Sequence, residues 1–260
     1  MTLFRHELRQ GWLSLLIWTL AIGGLMAVCI FLFPEMEGEM GQVGDMFSSM
    51  GAFTAAFGMD RLNFGTFSGF YAIECGNILG LGGAMFAAMT AAAALAKEEK
   101  EGTAEFLLTH PEGRGQVVTE KLLAVLAQIL ALNLAVWAIS ALSGLAIGEE
   151  IPWGELCKLH LAYFFLQLEL AGICFGLSAF LRRGSLGAGL GIAAGAYFLD
   201  LIANIAEKAE WLHYVTPFGY TAGADILADG MDWPLIALGM LWACAGIALA
   251  YGWYLRKDIH

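Results

Sequence analysis

Trp12-Leu-Ser-Leu-Leu-Ile-Trp-Thr-Leu-Ala-Ile-Gly-Gly-Leu-Met-Ala-Val-Cys-Ile-Phe-Leu-Phe33 holds 22 residues without an Asp, Glu, Lys or Arg. Coiled as a helix, the run rises about 1.5 Å per residue and reaches across about 30 Å of hydrocarbon. It is longer than the core of a cleaved signal, and no small-x-small site follows it, so it is expected to be retained. Similar stretches run from Cys75 to Ala96, Leu122 to Gly148, Leu159 to Leu181, Ser185 to Ile205 and Trp233 to Leu255. Lipid admits only helices and closed barrels, and these runs lack the alternating ten-residue rhythm of barrel strands. The expected fold is an all-α integral membrane protein of six transmembrane helices, forming one domain over residues 1–260.

Composition agrees. Hydrophobic residues make up 59% of the 260 residues and charged residues 14%, well below the roughly 25% charge of soluble domains. The net charge of -11 says more about sidedness than about ligands, because the acids gather in particular loops. The five cysteines (Cys29, Cys75, Cys157, Cys174 and Cys244) are odd in number and show no C-x-x-C spacing. Neither a disulfide framework nor a metal site is expected from them.

Short cytoplasmic loops accumulate Lys and Arg. With the N-terminus inside, Arg5, Arg9, Lys97, Lys100, Arg114, Lys121, Arg182, Arg183, Arg256 and Lys257 are cytoplasmic, whereas Arg61, Lys158 and Lys208 are outside. Six spans then put both termini in the cytoplasm. Residues Leu3, Phe4, Leu8 and Trp12 share one helical side while Arg5, Arg9 and Gln10 face elsewhere, the pattern of an interfacial elbow helix over residues 1–11.

The loop of residues 97–121 is the most informative connection. Gly102 breaks the descending helix, Thr103 can cap a new one with Glu105 near its start, and Pro111 with Gly113 and Gly115 ends it. The short helix so defined presents Phe106, Leu107 and Leu108. Three adjacent apolar residues in a charged loop need the membrane surface or a partner protein.

That stretch resembles the signature of ABC exporter permeases of the type-2 superfamily, in which E-x-G-T-x-E-x-L-L precedes a Pro, an Arg and a Lys. The matching residues are Glu101, Gly102, Thr103, Glu105, Leu107, Leu108, Pro111, Arg114 and Lys121. Tyr214-Val-Thr-Pro-Phe-Gly-Tyr220 resembles the family's outer segment before the last span, and Arg256-Lys-Asp-Ile259 its basic end. Lys257 stands where the family often has a second Arg, and glycines flank Arg114 where stiffer residues are usual. The resemblance implies a coupling helix that docks on a separate ATPase subunit through these residues and Phe106. It further implies two ATPase copies that bind ATP and Mg, and a second permease chain, identical or homologous, completing the pathway. The chain itself has no G-x-x-x-x-G-K-[ST] phosphate loop, so no cofactor, metal or catalytic residue is expected on it. Lipid surrounds it in a membrane expected to be the prokaryotic plasma membrane. No nucleic-acid partner is expected.

Within the spans, Glu169 stands out, since an ionised carboxyl at mid-membrane costs roughly 2.5 kcal/mol or more. It is a candidate pathway residue, with Gln128, Asn133 and Gln167 as possible partners, and Asp200 is a candidate lining of the exit. Gly172 with Gly176, and Gly187 with Gly191 and Gly195, form G-x-x-x-G ridges suited to close helix packing. A rival reading is a proton- or ion-coupled secondary transporter using Glu169, although no internal repeat of the usual kind is found. An intramembrane enzyme is a weaker rival, since the protease motifs G-x-G-D, G-x-S-G and E-E-x-x-x-R are not found.

Overall fold

The computed structural model describes residues 2–37, 51, 54, 56, 61–63, 65–97, 113–181 and 185–256. Among them every regular element is helical, and six helices are long and apolar enough to cross a membrane. These are α1 (Thr2–Glu37), α2 (Phe67–Ala94), α3 (Arg114–Ala146), α4 (Trp153–Ser178), α5 (Ser185–Ile205) and α7 (Trp233–Tyr254). A 3-10 helix (Glu207–Tyr214) and the short α6 (Gly223–Ala228) lie between α5 and α7.

The elbow expected over residues 1–11 is not a separate helix. α1 continues unbroken from Thr2 to Glu37, because once a turn exists each further residue adds a hydrogen bond at little cost. Gly11, the residue best able to interrupt it, is packed instead: a Cβ there would lie 2.3 Å from Gln128 Oε1. Two other helices also exceed their apolar runs. α2 starts at Phe67, where the Thr66 hydroxyl accepts from Gly69 N at 3.2 Å as an N-cap. α3 starts at Arg114, so the return limb of the 97–121 loop is the first two turns of a membrane helix.

α4 is the centre of the bundle. The most apolar stretch of α4 is 67% buried against 17% for α5, and α4 packs on α2, α3 and α7. Its contact with α7 is backbone on backbone, since a Cβ at Gly172 would lie 2.6 Å from Ala243 Cα and one at Gly176 2.5 Å from the Gly246 carbonyl. Tryptophans 12 and 253 near one end, and 153, 211 and 233 near the other, are exposed, as suits rings that sit at the two membrane interfaces. α3 ends in a Schellman motif around Gly148, whose φ is +85°. There Glu149 N donates to Gly144 O and Gly148 N to Leu145 O, each at 3.2 Å, which satisfies carbonyls the helix would leave open.

The stretch between α5 and α7 does not stay at the bundle end. Thr216 Oγ1 donates to Ala196 O at 2.8 Å, nine residues back from Ile205 and therefore about 14 Å along α5. Tyr163 Oη donates to Thr221 O at 2.9 Å. Residues 216–221 thus re-enter the bundle. Irregular backbone survives at such depth only inside protein, and Thr216, Phe218, Tyr220 and Thr221 are all buried.

Candidate functional site

Apart from the buried Tyr71–His160 pair, whose hydroxyl and Nε2 lie 2.6 Å apart, three places hold most of the polar chemistry of the described residues. At the end carrying the termini, Lys121 is fully buried, and its Nζ donates to Glu7 Oε1 of α1 at 2.8 Å and to the Ala94 carbonyl of α2 at 2.7 Å. The neighbouring Glu120 accepts from Phe4 N at 3.0 Å and from Gln116 Nε2 at 2.9 Å. Thr119 and Tyr251 share a hydroxyl hydrogen bond of 2.7 Å, and Arg114 Nη1 donates to Leu255 O at 3.5 Å. Lys97 also donates to Gln10. The first turns of α3 are therefore tied to the ends of α1, α2 and α7 together. Of the expected ATPase-contacting residues, Arg114 and Lys121 belong to this junction. Glu101, Gly102, Thr103, Glu105, Phe106, Leu107, Leu108 and Pro111 lie outside the described residues.

In the middle, α4 carries two buried polar side chains pointing different ways. Gln167 and Glu169 are two residues apart, hence about 200° around the helix. Gln167 accepts from Asn133 Nδ2 of α3 at 2.7 Å and returns a longer bond of 3.4 Å. Glu169 accepts from the Tyr220 hydroxyl of the re-entrant segment at 2.9 Å. Each is accommodated by a missing side chain opposite: a Cβ at Gly83 of α2 would lie 2.3 Å from Gln167 Nε2, and one at Gly239 of α7 would lie 2.1 Å from Glu169 Oε2. Gln128 is set apart from both, bonding back to Ala124 O at 3.3 Å. The five candidate pathway residues thus occupy several places within one chain, not a single file.

At the end opposite the termini lies a pocket of 610 Å³ between α2, α4, α5 and the re-entrant segment. A π-helical turn, Cys75–Gly80, sets its floor. Gly76 and Gly80 make room there for Tyr163, whose hydroxyl oxygen would lie 2.9 Å from a Cβ at Gly76. Such turns are frequent at functional sites. Asn77 on the same turn accepts from the Tyr197 hydroxyl at 3.3 Å. Asp200 enters the pocket from α5, its Oδ2 accepting from Asn204 at 3.4 Å and its Oδ1 facing His213 Nδ1 at 3.3 Å. Neither of those two facing atoms has another partner among the described residues. The Asp200 carboxylate holds the His213 imidazole above its usual pKa, against the lowering effect of partial burial. Arg61 pairs with Asp225 at the rim.

The glycine ridge of α5 behaves differently from that of α4. A Cβ at Gly187, Gly191 or Gly195 would touch nothing within 4 Å, so this ridge faces out of the chain. Gly189, one helical face away, is the α5 glycine that packs on α2, a Cβ there lying 2.6 Å from the Ala88 carbonyl. Tyr220, His213, Asn77 and Gly239 are contacts of the candidate residues that sequence reading missed. Tyr220 falls within a stretch whose likeness to the family placed it outside, and Gly239 is a lone glycine in an apolar run, which carries no local signal.

Six apolar helices with a buried polar junction at one end and a polar pocket at the other define a multi-pass membrane protein. The chain belongs to the ABC-2 family transporter proteins, whose family model matches residues 3–259. The uncharacterized protein YhcI of Bacillus subtilis is 26% identical over 201 residues, 67% of this chain. The match spans 64% of YhcI's own length, less than two thirds of that relative.

Proposed function

We propose that this permease is half of an ATP-driven exporter in a prokaryotic plasma membrane, with the termini and the 97–121 loop in the cytoplasm and the pocket outside. Two copies of a separate ATPase bind ATP and Mg and close against the loops of two permease chains, identical or homologous. The junction around Lys121 carries the reading. A displacement of the loop enters the first turn of α3 and is passed at once to α1, α2 and α7, because their ends meet on Lys121, Glu120 and Thr119. A flexible tether at this position would absorb the motion.

The test is co-purification of the tagged permease, from its native membrane, with an ABC ATPase subunit. Retention of the ATPase, and its loss when Leu107 and Leu108 are changed to Asp, supports the reading. Retention unaffected by both changes places the docking elsewhere.

A further inference from the structure

The pocket opposite the termini has a chemical bias that the transporter assignment does not account for. Its walls are aromatic, with Tyr163, Tyr197, Trp211, Tyr214 and Phe218, and its acids are Asp200, Glu210, Asp225 and Asp232. Two of these carboxylates are engaged, Asp225 by Arg61 and Asp232 by the Leu235 N–H it caps at 3.0 Å. Asp200 is different. Its Oδ1 has only the histidine nitrogen opposite it at 3.3 Å, and a histidine is a counter-ion only while protonated. Aromatic faces attract cations that have lost part of their water, and a volume of several hundred Å³ suits a drug-sized ligand.

We propose that the pocket binds an organic cation, a quaternary or phosphonium-type centre bearing aromatic groups, whose charge takes the place of the His213 imidazolium beside Asp200. The aromatic groups lie against Tyr197 and Trp211. Lipid headgroups bearing an ammonium carry a phosphate as well, which Glu210 and Asp232 would repel, so the occupant is a free cation. Binding displaces a proton. His213 faces Asp200 on α5, Glu210 on its own 3-10 helix and Asp225 on α6, the last paired with Arg61. Each carboxylate favours the protonated ring, and the cation competes with that proton for Asp200. Affinity therefore rises as pH rises through the pKa of His213. The exporter reading supplies only the direction of transport. Binding needs no ATPase, so its failure would leave that reading standing.

The experiment is equilibrium dialysis of radiolabelled tetraphenylphosphonium against the full chain in dodecyl maltoside, with tetraphenylborate, of equal size and opposite charge, dialysed separately. The expected result is saturable binding of the phosphonium alone, weakened about tenfold by Asp200→Asn, the loss of one close charge in a partly screened site. Trp211 is exposed, so Trp211→Leu tests the aromatic wall without disturbing the core and should weaken binding several-fold. Acidification from about pH 8.5 to about pH 5.5 should weaken binding at least about fivefold in the unmodified chain and less than about twofold in His213→Gln. Equal retention of the phosphonium and the borate, or equal phosphonium binding by Asp200→Asn, would overturn the proposal. Displacement of the phosphonium by a short-chain phosphatidylcholine at equal concentration would move the site from a free cation to a lipid headgroup, overturning that part of it.

Discussion

The Tyr220 hydroxyl and the Glu169 carboxylate meet at 2.9 Å, joining a segment without regular structure to the most buried helix of the bundle. Sixteen residues separate Glu169 from the start of α4 at Trp153, about 24 Å along its axis. The bond is therefore deep, and its loss leaves a buried carboxyl without its donor. Tyr220→Phe is expected to lower stability by about 1–3 kcal/mol, read as a fall in the temperature at which the detergent-solubilised permease aggregates. Glu169→Gln keeps an acceptor for the hydroxyl and should cost less. An unchanged transition in Tyr220→Phe would show that the bond contributes nothing.

Glycine-to-alanine substitutions should separate the two kinds of ridge. A methyl at Gly176 strikes the Gly246 backbone and one at Gly239 strikes the Glu169 carboxylate, whereas one at Gly191 meets nothing within the chain. The first two are expected to destabilise by about 1–3 kcal/mol through overpacking, and Gly191→Ala to stay within about 0.5 kcal/mol in the solubilised monomer. If Gly191→Ala lowers stability only where two permease chains associate, measured by cross-linking in the membrane, the outward ridge contacts a second chain.

Lys121 offers a division between assembly and coupling. Lys121→Met removes the charge that faces Glu7 and the donor to the Ala94 carbonyl, both in a buried setting. Breaking such a pair from one side costs roughly 3 kcal/mol. If docking rests on Leu107 and Leu108 as proposed, the Lys121→Met chain should still retain the ATPase in pull-downs while transport per ATP hydrolysed falls. Loss of the ATPase itself from Lys121→Met would instead make Lys121 a docking residue.

His213 should make stability depend on pH in one direction. Its folded pKa is raised, chiefly by Asp200. The stabilisation is fully present below the ordinary histidine pKa of about 6.5. It is lost as pH climbs through the raised value. Melting temperature should therefore fall on going from about pH 6 to about pH 8.5 by more in the unmodified chain than in His213→Gln. The opposite trend, or equal slopes, would remove the Asp200 pairing from consideration.

Much of the architecture was legible because membrane helices announce themselves by length and charge. The run from Trp12 to Phe33 needed no context. The ends of helices were harder, since Thr66 and Arg114 extend α2 and α3 with residues that hydropathy alone assigns to loops. The unbroken course of α1 was hidden for the related reason that Arg5 and Arg9 look interfacial. Glu169 and Asp200 were conspicuous as carboxyls within or beside apolar runs, yet their partners Tyr220 and His213 were not. Those partners come from the re-entrant segment, and a turn back into the bundle leaves no periodic signature. Gly83 and Gly239 were silent for a different reason: each makes room for a polar side chain on another helix, a tertiary fact with no local counterpart.

The re-entry of residues 216–221 has a practical consequence for anyone probing topology with inserted tags. Hydropathy presents the whole interval between α5 and α7 as one tolerant connection. An epitope placed after Pro217 or Phe218 would have to be threaded into the interior beside Tyr163 and Ala196, and should abolish expression as surely as one placed inside α4. Between Asp229 and Gly230, where the chain surfaces and Gly230 takes a φ of +88°, the same epitope should be carried and report which side of the membrane it faces.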